Sequence, residues 1–387
     1  MLIRRVLILI TTLMLGSSLA VLHPAHGQSS DTAPLIVLVG GDFWKYSPAD
    51  GTFVQMTQSG YHQTPLLAPD GSQIAYRTVA PEAIAAIEAG QGTSGFPATN
   101  INLLNLTTGE EQSIATQPDN ISLAEGRYIL RSEPSWSLDG TQVAWTDLAY
   151  PSGTDSLVVY DLASVTPVSY PLTLPQRYGI QGAAEIRWGE TGIAVWITGL
   201  DASTGGINEV FTIYTPDGQL LSTALLPYSD TSGYVLDFFW IEHQGNQDLG
   251  VLYSNGNFYL IDPRQNTFEQ YLNPPTFFAS GTLGAPSISL VHAPANEIGL
   301  PFGFTYQPDA SGGVVTIPET LSPLTVTFAP NGAAVAYINP DGQVVVVQDG
   351  TAQTITSADQ LATALVWATR SWTTAEAGGA GGGGGAG

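Results

Sequence analysis

One turn-and-strand pattern recurs along the chain and leaves few folds open to it. SWSLDGTQVAW (135–145) returns as LLAPDGSQIAY (66–76), IRWGETGIAVWI (186–197) and VTFAPNGAAVAYI (326–338). Each copy has a bulky apolar residue, a turn of Pro, Asp, Asn or Gly, and then an alternating apolar strand, which is the pattern of a β-hairpin. Glycine admits positive φ, and Asp or Asn bonds its own backbone, so turn chemistry alone accounts for Asp139-Gly140. The bulky residue serves as a ruler. It falls at Leu67, Trp136, Trp188, Trp240, His292, Phe328 and Trp367, with the four from Trp136 to His292 spaced 52 apart. The later gaps of 36 and 39 are shorter, and the first gap of 69 carries an insertion.

Two further strand-like runs follow each hairpin, as in SLVVYDLASVTPVSYPL (156–172) and FTIYTPDGQLLSTALL (211–226). Four short antiparallel strands per unit of about 40–50 residues make a β-propeller blade. The expected fold is therefore all-β, a single β-propeller with seven four-stranded blades. Six blades is the alternative if 274–320 is irregular. The ends are expected to share one blade, with two strands from 34–57 and two from 365–374. Such pairing closes the ring and leaves no isolated edge. The tryptophans at the anchors and on second strands are expected to pack between blades rather than to form a sugar platform.

The segments W-S-L-D-G-T-Q-V-A-W, A-P-D-G-S-Q-I-A-Y and A-P-N-G-A-A-V-A-Y resemble the W-S-P-D-G-x-x-I-A-F repeat of TolB-like (WD40-like PD-repeat) propellers. The resemblance covers 34–374, strongly in three units. TolB itself has a separate domain before its propeller, for which the residues before Pro34 leave no room, so the chain is not expected to be TolB. The resemblance implies a propeller that binds other macromolecules and fixes no activity.

The N-terminus reads as a secretory signal peptide over 1–27. Arg4 and Arg5 precede an apolar run from Val6 to Leu15, and Ala25-His26-Gly27 gives a cleavage site. An uncleaved anchor is the competing reading. The expected location is secreted, periplasmic or in the cell envelope. With no cysteine the fold has no disulfide and must hold by burial alone. Residues 28–374 are assigned to the propeller, and the Gly-rich tail 375–387 to a flexible, disordered end. A net charge of −23 with Lys45 as the sole lysine repels phosphates and anionic headgroups. Nucleic acid is therefore not expected as a partner, nor a membrane after signal cleavage, and the chain is expected to be a monomer.

Sorting the turns by strand order places the short ones on one face and the long loops on the other. The loop-rich face receives 79–99, 147–155, 199–208 and connections such as 116–131 and 173–183, and within 79–99 Pro81 and Gly90 bracket a short helix. Function concentrates on long loops of a rigid scaffold. The candidate site is therefore that face over the units anchored at Leu67, Trp136 and Trp188, with Glu82, Glu88, Phe96, Asp147, Tyr150, Asp155, Asp201, Tyr228 and Tyr234. Acids interleaved with aromatic rings suit a protein, peptide or glycan partner. No D-x-D-x-D-G loop is present, and His62, His243 and His292 lack metal-ligand spacing, so no metal and no cofactor are expected. No G-x-S-x-G elbow occurs. The expectation is a non-catalytic binding module. The alternative is a carbohydrate-active enzyme, a glycoside hydrolase or lyase, using carboxylates near the propeller channel. Converging acids with strongly perturbed pKa values in a pocket would favour the enzyme, and a broad acidic-aromatic surface the binder.

Overall fold

The computed structural model describes residues 34–367 apart from 91–95, 180, 202, 229–233, 244–245, 254–256, 271–301, 307–314, 321–324, 330–333 and 349. The expected signal peptide, the Gly-rich tail and His292 lie outside the described residues. Antiparallel sheets follow one another along the chain. Four-stranded units begin with Leu66–Leu67, Glu185–Trp188, Val235–His243 and Val326–Phe328, and the unit after the first has five strands because its first strand is split into Ile129–Arg131 and Ser135–Trp136. A two-stranded sheet, Phe302–Tyr306 with Val315–Thr320, comes before the last of these. The turn residues set this pattern. Asp139 Oδ1 accepts bonds from Thr141 N–H (3.0 Å) and the Ser137 hydroxyl (2.7 Å), and Gly140 takes φ +71°. The opening Asp-Gly is thus a self-satisfied turn.

The ruler residues share one register. Leu67 faces Ile74, Trp136 Val143, Trp188 Ile193, Trp240 Leu249 and Phe328 Val335, each on the neighbouring second strand. Trp367 faces Leu35, from the other end of the chain. The closing sheet consists of Ala362–Trp367, Leu35–Val39, Asp42–Ser47 and Thr52–Gln55 in that order. Both ends do share one sheet, but three strands come from the N-terminal side and one described strand from the C-terminal side, instead of two and two. The reason is the Gly40-Gly41 pair, whose positive φ angles of +60° and +81° make a two-residue hairpin and divide the first run.

Adjacent blades are joined at the anchors. The Trp136 indole N–H donates to the Leu66 carbonyl at 2.8 Å, and Trp240 does the same to Arg187 at 2.9 Å. Trp188 N–H donates to the Ser135 hydroxyl, and Trp367 N–H to the Thr327 hydroxyl. Every one of these acceptors belongs to the residue just before the preceding anchor. The Trp240 ring also lies so close over Gly189 that a Cβ there would sit 2.4 Å from it. Trp136, Trp188 and Trp367 are buried. On the opposite face, the helix Pro81–Glu88, with proline in its first turn, packs Ala83 against Val79, Ala80 and Ala98 and holds the long loop over the ring.

Candidate functional site: a mixed-charge pocket shared by three blades

Three residues before the anchors Trp136, Trp188 and Trp240 stand Glu133, Glu185 and Asp237, again 52 apart. Three residues before Leu67, Phe328 and Trp367 stand Thr64, Thr325 and Ala364, so among the described residues only three consecutive blades present acids here. Strand alternation sets their direction. In Glu185–Trp188 the residues Ile186 and Trp188 are buried, while Glu185 and Arg187 are half-buried at the inner edge. Glu133 stands in a break of its strand, between Ile129–Arg131 and Ser135–Trp136. Pro134 has no N–H to give the ladder, and Ser132 spans the gap by exchanging bonds with Thr146 at 3.0 and 2.9 Å.

The arginines in this region are largely committed. Arg187 Nη2 pairs with Asp237 Oδ1 at 3.0 Å, Nη1 donates to the Ile186 carbonyl, and the guanidinium lies 5.1 Å from the centre of the Phe238 ring. Arg77 reaches across a blade boundary, with Nη1 donating to the Arg131 carbonyl at 2.8 Å and Nε to Gln63. Arg131 is buried. It donates to the Thr99 and Thr116 carbonyls, and its Nε lies 3.2 Å from Asp147 Oδ1, which also accepts from the Trp145 indole. Burial lowers the Arg131 pKa and raises that of Asp147 against the pull of their pairing, so the pair is an enclosed neutral unit.

Glu185 is different. Among the described residues it has no ion-pair partner. Burial, and then the charge of Glu133, push its carboxyl up to about 7; Arg77, Arg187 and the Glu133 N–H oppose this without overcoming it. Asp237 is also raised, by burial against the attraction of Arg187. Burial works against the Arg187 charge, but Asp237, Glu133 and Glu185 together raise its pKa. These groups are surrounded by protein yet keep contact with water, since Arg187 and Asp237 retain 28% and 24% of their side-chain exposure.

A cavity of about 300 Å³ opens here, lined by Arg77, Phe96, Arg131, Glu185, Trp196 and Thr198 among others. It draws on the blades anchored at Leu67, Trp136 and Trp188. Phe96, from the long loop of the first, reaches Gly182 of the third, where a Cβ would lie 4.0 Å from its ring. The rim is braced. Gln181 donates to the Tyr178 and Thr198 carbonyls, both at 2.6 Å, and accepts from Thr198 N–H. The Trp196 indole N–H and the Thr198 hydroxyl both donate to Glu209 at 2.8 and 3.0 Å, which fixes the ring.

Of the residues expected on the loop face, Phe96 lines this pocket and the others do not. Glu82 and Glu88 are exposed on the helix. Tyr150 stacks on Tyr128 at 5.0 Å, and Tyr228 meets Tyr178 edge-on at 5.8 Å. Asp201 is turned onto Ser203 and Thr204 of its own loop, whose hydrogen bonds hold its carboxyl at about 2. Tyr234 is exposed. Asp147 and Asp155 are not loop residues. The ladder between Gln142–Ala149 and Thr154–Asp161 runs to Ala149 facing Thr154, so the loop shrinks to 150–153. Each acid is held in the sheet by an arginine: Asp147 by Arg131, and Asp155 by a bidentate pair with Arg177 at 2.5 and 2.6 Å. Glu133, Glu185 and Asp237 lie on or beside inner strands, so loop position does not point to them, whereas the anchor ruler taken three residues upstream finds all three.

No family model matches the chain, and no curated protein matches it. Among solved structures, the periplasmic gluconolactonase PpgL of Pseudomonas aeruginosa superposes with a TM-score of 0.50 at 14% identity, over 87% of this chain and 99% of that one. A protein from Lactobacillus plantarum gives 0.50 at 10% identity, over the same 87% and 99%. The fold is a β-propeller. TolB from Acinetobacter baumannii is also similar, with a TM-score of 0.43 at 17% identity over 88% of this chain and 67% of TolB. At such identities the likeness is one of fold.

Proposed function

We propose that the protein is an exported binding propeller that takes the end of a protein, peptide or glycan partner of the envelope or exterior into the pocket on its loop-rich face. One observation carries this reading: loops and inner strands of three consecutive blades converge on one cavity of about 300 Å³ that combines two aromatic rings with polar groups. Small-ligand sites have this composition, mostly apolar walls with a few placed polar groups. The signal segment supports export, and the acidic charge supports a partner other than nucleic acid or membrane.

Gly182→Leu tests it. The backbone there needs no positive φ, and a Cβ meets nothing closer than the Phe96 ring at 4.0 Å, so the new side chain fills the pocket mouth without straining the fold. Labelled protein and the variant are compared on peptide and glycan arrays. Spots bound by the parent and lost in the variant support the proposal, and identical patterns refute it.

A second reading, carboxylate catalysis on a carbohydrate, draws on Glu185 titrating at about 7 beside Glu133, which suits a general acid. It expects turnover of an array glycan that Glu185→Gln abolishes while binding persists.

A further inference from the structure

The charge balance around the pocket narrows the ligand class, resting on the binding reading above. Around Glu185 the protein sets three carboxylates (Glu133, Glu185 and Asp237) against two guanidiniums, Arg77 and Arg187. The pair Arg131–Asp147 cancels within itself, and Glu209, set behind the cavity wall, is raised by burial and held by the Trp196 and Thr198 donors. Arg187 is bound to Asp237, and two nitrogens of Arg77 are bound to Gln63 and the Arg131 carbonyl. The site is therefore one positive charge short, and of its three carboxylates Glu185 is the one that lines the cavity. Trp196 and Phe96 line the same space, and aromatic faces attract cations.

We infer that the pocket receives a primary ammonium group, held against Glu185 with Glu133 beside it and flanked by the rings of Trp196 and Phe96. An ammonium supplies the missing charge that the Glu185 proton otherwise supplies. Its binding therefore drives that proton off, and ligand and proton compete for one site.

Two sources offer such a group, a peptide N-terminus and an amino sugar. The probes are Ala-Ala-Ala amide and glucosamine, each compared with its N-acetylated form by isothermal titration calorimetry at pH 7. Expected is at least tenfold tighter binding of one free amine than of its acetylated form. Whichever amine shows it names the source. Repeating the titration in buffers of differing ionisation enthalpy should show net release of about 0.3–0.4 proton: about half from a carboxyl titrating near neutrality, less the roughly 0.1–0.2 that the partly neutral amine takes up to bind as ammonium. In Glu185→Gln both the preference and the proton release should vanish, and Glu133→Gln should reduce the preference. Equal binding of free and acetylated probes, lost in Gly182→Leu, overturns the ammonium inference and leaves the pocket reading standing. Binding of the probes that survives Gly182→Leu overturns both, as does the absence of binding at millimolar probe.

Discussion

Glu185 gives the protein a pH dependence of stability that one substitution should remove. Its carboxyl titrates at about 7 in the folded chain against an ordinary 4.5. At about 1.4 kcal/mol per pH unit, that difference amounts to about 3 kcal/mol. The folded state holds a proton that the unfolded chain has given up, so the contribution is full below pH 4.5 and is lost as pH rises through 7. Channel water screens part of it, which leaves about 1–3 kcal/mol. Glu185→Gln keeps the shape of the protonated acid and cannot ionise. The margin of the variant over the parent should widen by about 1–2 kcal/mol between pH 5 and pH 8. Chemical denaturation of both proteins at pH 5, 6, 7 and 8 measures this, because the difference between them cancels other titrating groups. A constant offset across that range, or a variant less stable at pH 8, would refute the assignment of an unpaired buried carboxyl.

Three further outcomes follow from the packing. Trp136→Phe keeps a six-membered ring but removes the pyrrole half of the buried indole and with it the donor to the Leu66 carbonyl, and should cost at least about 1–3 kcal/mol; an unchanged thermal midpoint would count against the inter-blade bond. Arg177→Met strands the buried Asp155 carboxylate and should cost about 3–5 kcal/mol, with Asp155→Asn in the same chain restoring part of it in denaturant melts. Gly218→Ala places a Cβ 2.5 Å from the Tyr170 ring at φ +80°, so a loss of about 1–3 kcal/mol is expected, and a variant as stable as the parent would contradict the turn described.

What the sequence disclosed followed the range of the forces involved. Asp-Gly turns and strand alternation are local, so SWSLDGTQVAW announced both its hairpin and the anchor Trp136. Gly40-Gly41 is equally local but lies inside an apolar run, and the extra hairpin it makes was not read. Asp147 and Asp155 looked like loop acids because the arginines that hold them in strands lie 16 and 22 residues away. Glu185 and Asp237 are unremarkable strand residues one by one, and Glu133 sits in a short break of its strand. Only ring geometry turns a 52-residue interval into proximity.

The pairing of Leu35–Val39 with Ala362–Trp367 has a temporal meaning. Among the described elements the strand made first waits for the strand made last, and no shorter stretch of chain can close the circle. Contacts of such sequence separation form slowly, because loop-closure entropy is spent before they reward it. A chain emerging from synthesis therefore stays an open arc until nearly the end. Substitutions that weaken Trp367 or Leu35 should then act first on how fast the ring shuts, a property read in refolding rates and hidden from the finished fold.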